Sequence, residues 1–420
     1  MTLVDDAERR VGSDPHPALQ RVLPLDVDSF AEDYWGRQAL LARAASLPGG
    51  VGGFSDLLSL DAVDELLSER GLRTPFIRVA KDGQVIDPSR WTGSGGAGAE
   101  IADQVRDDAL LGLFADGASI VLQGLHRNHP PLVAFASALA AELGHPVQVN
   151  AYVTPPQSRG FDAHYDVHDV FVLQVAGEKR WRISRPVLES PLRSQVWTDR
   201  RAAVAERAAE EPFLDEVLRP GDALYLPRGW LHAAEALGDV SAHITVGIHT
   251  VTRYAVAEAL TALAARSPEL RRSLPLGVDV ADPAAVQEEV AATLEALAAA
   301  VREVPAADVA ERLRRSVWPK SRPAPIAPLA QAAAARSATG TTAVRLRDAL
   351  RAQLRPAGDS VQLVLPGRSL TLPADTAAAV DALLSGETFL AAELPGLDEA
   401  DGVVLVRRLL REGVVVPAEG

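Results

Sequence analysis

Two histidines and a carboxylate are spaced so that they could share one metal ion. His164-Tyr165-Asp166 places an imidazole and a carboxylate two residues apart, and Pro227-Arg228-Gly229-Trp230-Leu231-His232 supplies a second imidazole later in the chain. Alternate residues of a strand point the same way, so His164 and Asp166 would share one face while Tyr165 turns to the other. With a histidine from a later strand they cover one face of an octahedral ion and leave the opposite face open. That arrangement is the usual holder of non-haem Fe(II) where dioxygen is activated. Lys179, just after Gly177-Glu178, begins the next expected strand. A hairpin at Ala176-Gly177 would return its ammonium to the same interior, where a fixed cation could hold an anionic co-substrate. A lone His-x-Asp triplet is common by chance; the lysine and the Pro-x-Gly-x-x-His segment give it weight.

Other histidines compete. His168 lies four positions past His164 and could be a ligand or a residue at the mouth of the site. His243 follows His232 on the next expected strand, where contact with a ligand or a co-substrate fits better than ligation. His126, His129, His145 and His249 read as ordinary polar or core residues, and Trp181, Trp197 and Trp230 read as core and rim packing. The loop Thr154 to Gly160, directly before the metal segment, is a place for substrate contacts or a plain connector.

These side chains need a scaffold, and the chain has the material for one. It has 420 residues, 47% hydrophobic and 23% charged, enough for two or three domains with wetted surfaces. The 42 basic and 56 acidic side chains give a net charge of −14, which argues against coating nucleic acid and favours basic polypeptide partners. There is no cysteine, so disulfides, thiolate ligands and thiol nucleophiles are excluded, and a metal must use imidazole and carboxylate. Met1 to Arg10 lacks an apolar signal core and no apolar run is long enough for a membrane span, so a cytoplasmic location is expected.

Between Ala118 and Ile248 short β patterns dominate: Ala118–Leu122, Val147–Val153, Val170–Val175, Lys179–Ile183, Ala223–Leu226 and His243–His249. That density predicts a barrel or sandwich. Ahead of it come a helix leading into a short strand (Phe30 to Arg43), helical spacing over Phe54–Leu67, a hairpin around Asp82-Gly83, a glycine-rich loop at Thr92–Gly98 and a helix at Pro131–Leu143. After Thr252 the pattern predicts helices Tyr254–Ala265, Asp282-Pro283 to about Arg302, and Ala306–Val317, then a proline-rich break at Pro319–Pro328. The last part predicts helix Ala374–Leu384, a short segment Phe389–Leu394, helix Asp398–Glu412 and strand Val414–Pro417, an order that suits a winged-helix-like module. Its arginines Arg407, Arg408 and Arg411 make a poor footprint for DNA.

Together, Asn150-Ala151-Tyr152, His164-Tyr165-Asp166, Asp169 to Gln174, Gly177-Glu178-Lys179-Arg180-Trp181, Pro227 to His232 and Ser241 to Thr245 resemble the JmjC-type ribosomal oxygenases. Tyr34 to Leu41 resembles their opening segment, with Ala39 where a proline is more usual. The resemblance implies an α+β chain in three parts. A double-stranded β-helix, the cupin or JmjC jelly roll, would occupy residues 1–250, an α-helical dimerisation region 251–328, and a winged-helix-like domain 329–420. It implies an Fe(II)- and 2-oxoglutarate-dependent protein hydroxylase that uses O2, with His164, Asp166 and His232 on the iron and Lys179 on the distal carboxylate of 2-oxoglutarate. Tyr152 and Thr245 would help hold that co-substrate, and Asn150 and His243 would line the pocket. The implied substrate is a histidine or arginine of a basic ribosomal protein, and the implied assembly a homodimer. Some relatives carry a serine in substrate contact where Gly247 stands, which leaves the substrate open. Hydroxylation of a small molecule or peptide natural product, or a non-catalytic metal-binding adaptor, would use the same residues differently.

Overall fold

The computed structural model describes residues 16–81, 83–156, 158 and 162–418. The chain divides into two compact units, Met1–His249 and Thr250–Gly420.

The first unit is built on a nine-stranded antiparallel sheet of strands β1 (Leu40–Ala42), β2 (Ile77–Lys81), β3 (Gln84–Val85), β4 (Ser119–Leu122), β5 (Val147–Thr154), β6 (Asp169–Ser184), β7 (Leu214–Leu218), β8 (Ala223–Leu226) and β9 (Leu231–Ile248). Their order is β1-β8-β6-β9-β5-β4-β2-β3, with β7 pairing on β6. β5 shows why the sheet has two chemically distinct faces. Val147, Val149, Ala151 and Val153 are buried in the main core with Leu132 and Leu139 of helix Pro130–Leu143. The alternate residues, Gln148, Asn150, Tyr152 and Thr154, therefore face the inner side. Across the ladder Tyr152 pairs with His243, Asn150 with Thr245 and Gln148 with Gly247, so period-two alternation delivers all six to one face.

Two expectations about this unit fail in an instructive way. Val170–Val175 and Lys179–Ile183 are not two strands joined by a hairpin but one strand, β6, and His232 and His243 likewise share the single strand β9. At Gly177 the backbone has φ of +60°, and a Cβ there would stand 2.2 Å from the Val240 carbonyl oxygen. The glycine therefore serves a bend with a close backbone approach rather than a chain reversal. Opposite it, the β9 register shifts between Leu237 and His243, so the two long strands pair over two stretches and wrap the sheet round. His164 is not on a strand either. It makes an isolated antiparallel bridge with His232, and 165–168 is irregular.

Helix Leu60–Ser68 begins later than the spacing suggested, at a Ser59 cap that accepts from the Ala62 amide at 3.1 Å. The hairpin pairs β2 with β3 around Gly83; Asp82 lies outside the described residues. Helix Arg201–Ala209 and strand β7 had no clear sequence signal.

The second unit opens with helices Arg253–Ala264, Pro283–Arg302 and Ala306–Val317. Asp282 caps the long helix, its carboxylate accepting from the Ala284 amide at 2.9 Å with Pro283 in the first turn. Helix Pro328–Ser337 follows, then a meander of three strands, Gln353–Ala357, Ser360–Leu365 and Arg368–Pro373. The meander was not anticipated, although in its last strand Leu370 and Leu372 alternate with Ser369 and Thr371 as a half-buried strand should. Helices Ala377–Leu384 and Glu399–Arg411 and strand Val415–Pro417 complete a core containing Val344, Leu363, Leu383 and Leu409. Among the described residues no helix is long and apolar enough to cross a membrane.

Candidate metal centre

The chain brings His164 and His232 together through its backbone. The two residues exchange amide-to-carbonyl hydrogen bonds of 3.2 and 2.8 Å, and the Gly229 amide donates to the Asp166 carbonyl at 3.0 Å. Paired backbones carry their side chains to the same side, and the two imidazole centroids are 4.4 Å apart. His164 Nδ1 lies 2.7 Å from the Asp162 carbonyl and His232 Nδ1 3.2 Å from the Trp230 carbonyl. A carbonyl can only accept, so each Nδ1 carries the proton and each Nε2 is left with its lone pair, which is how neutral histidine ligands are usually oriented. His232 Nε2 stands 3.8 Å from Asp166 Oδ2.

Charge follows the same logic. Burial, then the neighbouring His164, holds His232 down to about 4, so its imidazole is neutral near pH 7. Burial acts to raise the Asp166 carboxyl, but His168, His232 and His164 around it outweigh burial and keep it below the ordinary carboxylate value. Two imidazoles and one carboxylate suit a hard to borderline divalent ion. Among the described residues no three such side chains are already closed into a cage. Adjacent ligands of an octahedral ion with bonds of about 2.1 Å lie about 3 Å apart, so the 3.8 Å pair is wider by less than one ångström. By its chemistry the donor set suits such an ion.

Lys179 is buried on the inner face although the expected hairpin is absent. Its Nζ donates to Thr154 Oγ1 at 3.2 Å, and burial pushes its pKa down to about 7. Tyr152 and His243 stack with centroids 5.1 Å apart and planes 4° from parallel, and Trp181 meets His243 edge-on at 5.3 Å and His232 at 6.2 Å. Burial, then the Asp166 charge, pushes the Tyr152 hydroxyl up to about 12, so it remains a donor. Burial and the Lys179 charge hold His243 well below its usual value. Among the described residues the buried Trp181 Nε1 and His243 Nδ1 have no hydrogen-bond partner. A buried cation with one weak partner beside two orphaned ring nitrogens is the lining of a polar ligand site rather than a finished core.

The remaining candidates are placed as follows. Thr245 stands between Asn150 and Val172 in the ladder, and the Asn150 Oδ1 accepts from the Gly124 amide at 3.1 Å. His168 Nε2 lies 3.2 Å from Gln148 Nε2, and its ring lies across Gly247, where a Cβ would stand 2.6 Å from that nitrogen. A side chain at 247 would therefore need the His168 ring to move. Gln157, Arg159 and Gly160 of the suggested contact loop lie outside the described residues. Sequence reasoning placed Thr154 in a contact loop rather than at the end of β5, where its position two residues past Tyr152 puts it on the same face, and it read Trp181 only as packing.

With this geometry in hand, comparison with known proteins is specific. The JmjC domain family matches residues 127–256. The bifunctional lysine-specific demethylase and histidyl-hydroxylase NO66 of Drosophila persimilis is 31% identical over 278 residues, covering 62% of this chain and 36% of that protein. Ribosomal oxygenase 1 of Rattus norvegicus is 30% identical over 259 residues, covering 60% of this chain and 41% of its own. The chain thus spans well under half the length of these relatives. Among solved structures, Escherichia coli YcfD aligns over 94% of this chain and 98% of its own, with a TM-score of 0.54 and 18% identity. The same ribosomal oxygenase with cobalt and 2-oxoglutarate aligns over 95% and 99%, with a TM-score of 0.51 and 18% identity. The JmjC domain model thus matches residues 127–256 of this chain, and the fold of the chain is similar to that of YcfD.

Proposed function

We propose that this chain is an Fe(II)- and 2-oxoglutarate-dependent oxygenase that hydroxylates a histidine or arginine side chain of a ribosomal protein. The observation that carries the reading is the pairing of His164 with His232, both Nδ1 atoms tied to carbonyls, beside Asp166 and within the same unit as the buried Lys179. His164, Asp166 and His232 would hold the iron. Lys179 and Thr154 would take the far carboxylate of 2-oxoglutarate, with Tyr152 and Thr245 as further polar contacts and Asn150 and His243 lining the pocket. Bound there, Fe(II) would couple oxidation of 2-oxoglutarate by O2, to succinate and carbon dioxide, to insertion of the second oxygen atom into a substrate C–H bond.

The residues of the chain do the positioning. The carbonyl contacts at Nδ1 fix both imidazoles so that Nε2 alone can ligate. A dicarboxylate entering beside Lys179 restores the ammonium that burial discourages, so binding the co-substrate and protonating the lysine favour each other. The relatives named for ribosomal or histidyl hydroxylation and the cobalt and 2-oxoglutarate complex of YcfD support the reading. An acidic chain, at −14, suits a basic polypeptide substrate.

In the second unit, helix Pro283–Arg302 has no buried residue and leaves Val290 and Leu294 52% and 61% exposed. We propose the helical stretch 251–328 as a dimerisation region, and 329–420 as a winged-helix-like module used for protein contact rather than DNA. A cytoplasmic location is proposed with them. The test of substrate is mass spectrometry of ribosomal proteins from cells with and without the gene. A histidine or arginine that loses the mass of one oxygen atom in its absence supports the reading; identical spectra, with purified enzyme inactive on the same proteins, remove the ribosomal substrate.

A further inference from the structure

The expected site residues do not include Asp169, yet it is the most enclosed carboxylate near the metal segment, 0% exposed. It follows Asp166 by three residues and faces the turn that delivers His232. Its Oδ1 accepts from the Arg228 amide at 3.1 Å and from the Arg228 guanidinium at 3.4 Å, and its Oδ2 accepts from the Tyr225 hydroxyl at 2.7 Å. That hydroxyl in turn accepts from the Gly36 amide at 2.8 Å. Tyr225 is wedged among Phe30, at 5.0 Å and edge-on, Phe171 at 5.1 Å, and Trp35, stacked at 6.0 Å.

The Tyr34-Trp35-Gly36-Arg37 segment is otherwise a motif without a task. Here it becomes the outer end of a buried chain, Gly36 to Tyr225 to Asp169 to Arg228, with Trp230 Nε1 also donating to the Arg37 carbonyl at 3.3 Å. Arg228 opens the turn, whose Gly229 has φ of +90° and donates to the Asp166 carbonyl, and three residues further on stands His232. A Cβ on Gly229 would stand 2.5 Å from the Leu188 carbonyl oxygen, so the turn is enclosed on its other side as well. The two segments that carry the ligands are thus joined at three places: the His164–His232 bridge, the Gly229–Asp166 bond, and the Asp169 carboxylate. The last is the only side chain among them.

We propose that Asp169, steadied by Tyr225 and through it by the Gly36 amide, is a positioning residue that sets where His232 stands relative to His164 and Asp166. The inference rests on the oxygenase reading above. Removing the Asp169 charge takes one partner from the Arg228 guanidinium and weakens the hold on the turn; removing the Tyr225 hydroxyl loosens one carboxylate oxygen while keeping the aromatic ring. Groups that orient metal ligands in this way typically change metal affinity by roughly 10- to 100-fold when altered.

The experiment is Co(II) titration of metal-free full-length chain by calorimetry and by visible absorption, for the parent, Asp169→Asn and Tyr225→Phe. The kinetics of 2-oxoglutarate turnover are followed alongside. The expected result is Co(II) affinity lower by roughly 10- to 100-fold in Asp169→Asn, less in Tyr225→Phe, with altered cobalt bands and a fall in kcat while the KM for 2-oxoglutarate holds. Gln331→Ala, in the other unit, is the control for mere destabilisation and should leave the cobalt spectrum unmoved. If Asp169→Asn does not fold, Tyr225→Phe decides. Folded variants with the parent's Co(II) affinity and spectrum overturn the inference alone; a parent chain that takes up no Co(II) overturns the oxygenase reading and this inference together.

Discussion

Polar groups are handled differently in two networks, one in each unit. In the second, Gln331 is enclosed and its Nε2 donates to the carbonyls of Leu410 at 3.0 Å and Val415 at 2.6 Å. Glu311 takes Arg314, Arg315 and Arg355, whose hydrogen bonds hold its carboxyl far below the ordinary range. These are closed accounts of donors and acceptors, and they fasten helix to strand. In the barrel Lys179 has one hydroxyl, while Trp181 Nε1 and His243 Nδ1 have no partner among the described residues. An unsatisfied buried group costs about 1–3 kcal/mol, so several retained side by side favour the proposal that a ligand completes them.

The strongest way to break that contrast is to remove the ligand-holding groups. His164→Ala or Asp166→Ala should abolish 2-oxoglutarate turnover, a loss of more than roughly a thousandfold, because the ion loses one of three protein ligands. Turnover retained by folded, iron-supplied variants would leave the assigned ligands without support. Lys179→Ala comes next. It should raise the KM for 2-oxoglutarate by about 100-fold, the loss of a buried charge-assisted contact worth about 3 kcal/mol, with iron content unchanged. An unaltered KM would mean that the lysine serves the fold, as Gln331 does.

How much of this could be read from the chain differs by residue. The residue types of His164, Asp166 and His232 suggested metal ligation, but the assumed strand under His164 does not exist, because pairing with His232 is a tertiary event. Gly177 read as a turn because glycine tolerates positive φ in turns and bends alike. Only the approach of the Val240 carbonyl distinguishes them. Trp181 is a plain core residue by composition; its orphaned N–H is visible only once its neighbours are placed. Thr154 was read into a contact loop although period-two alternation from Tyr152 places it on the inner face, and the meander 353–373 was passed over although Leu370 and Leu372 alternate with polar residues, because flanking alanine-rich helices dominated the local pattern.

A change of pH sharpens the contrast with no mutation. Free Lys179 titrates near 7 because burial disfavours its ammonium, while a bound carboxylate favours it. Below pH 7 the charge is already present, and affinity is flat; above it, binding must take up one proton. The KM for 2-oxoglutarate should therefore rise by about tenfold per pH unit above 7, and Lys179→Ala should flatten the profile. A flat profile in the parent would place the ammonium in a less enclosed setting than the 3% exposure of Lys179 implies.

The smallest effect tests the closed half of the comparison. Gln331→Ala leaves the Leu410 and Val415 carbonyls buried without their donor and opens a small cavity, so the second unit should lose about 1–3 kcal/mol, read from its denaturant midpoint. No ligand is waiting at Gln331, so at temperatures well below unfolding the kcat, the KM for 2-oxoglutarate and its pH profile should match the parent. A shift in any of those three would mean that the satisfied network of the second unit and the open one of the barrel are energetically coupled. The difference between them would then be one of degree, because a group that tunes the ligand site from a fully bonded position cannot be called structural on the strength of its bonds alone.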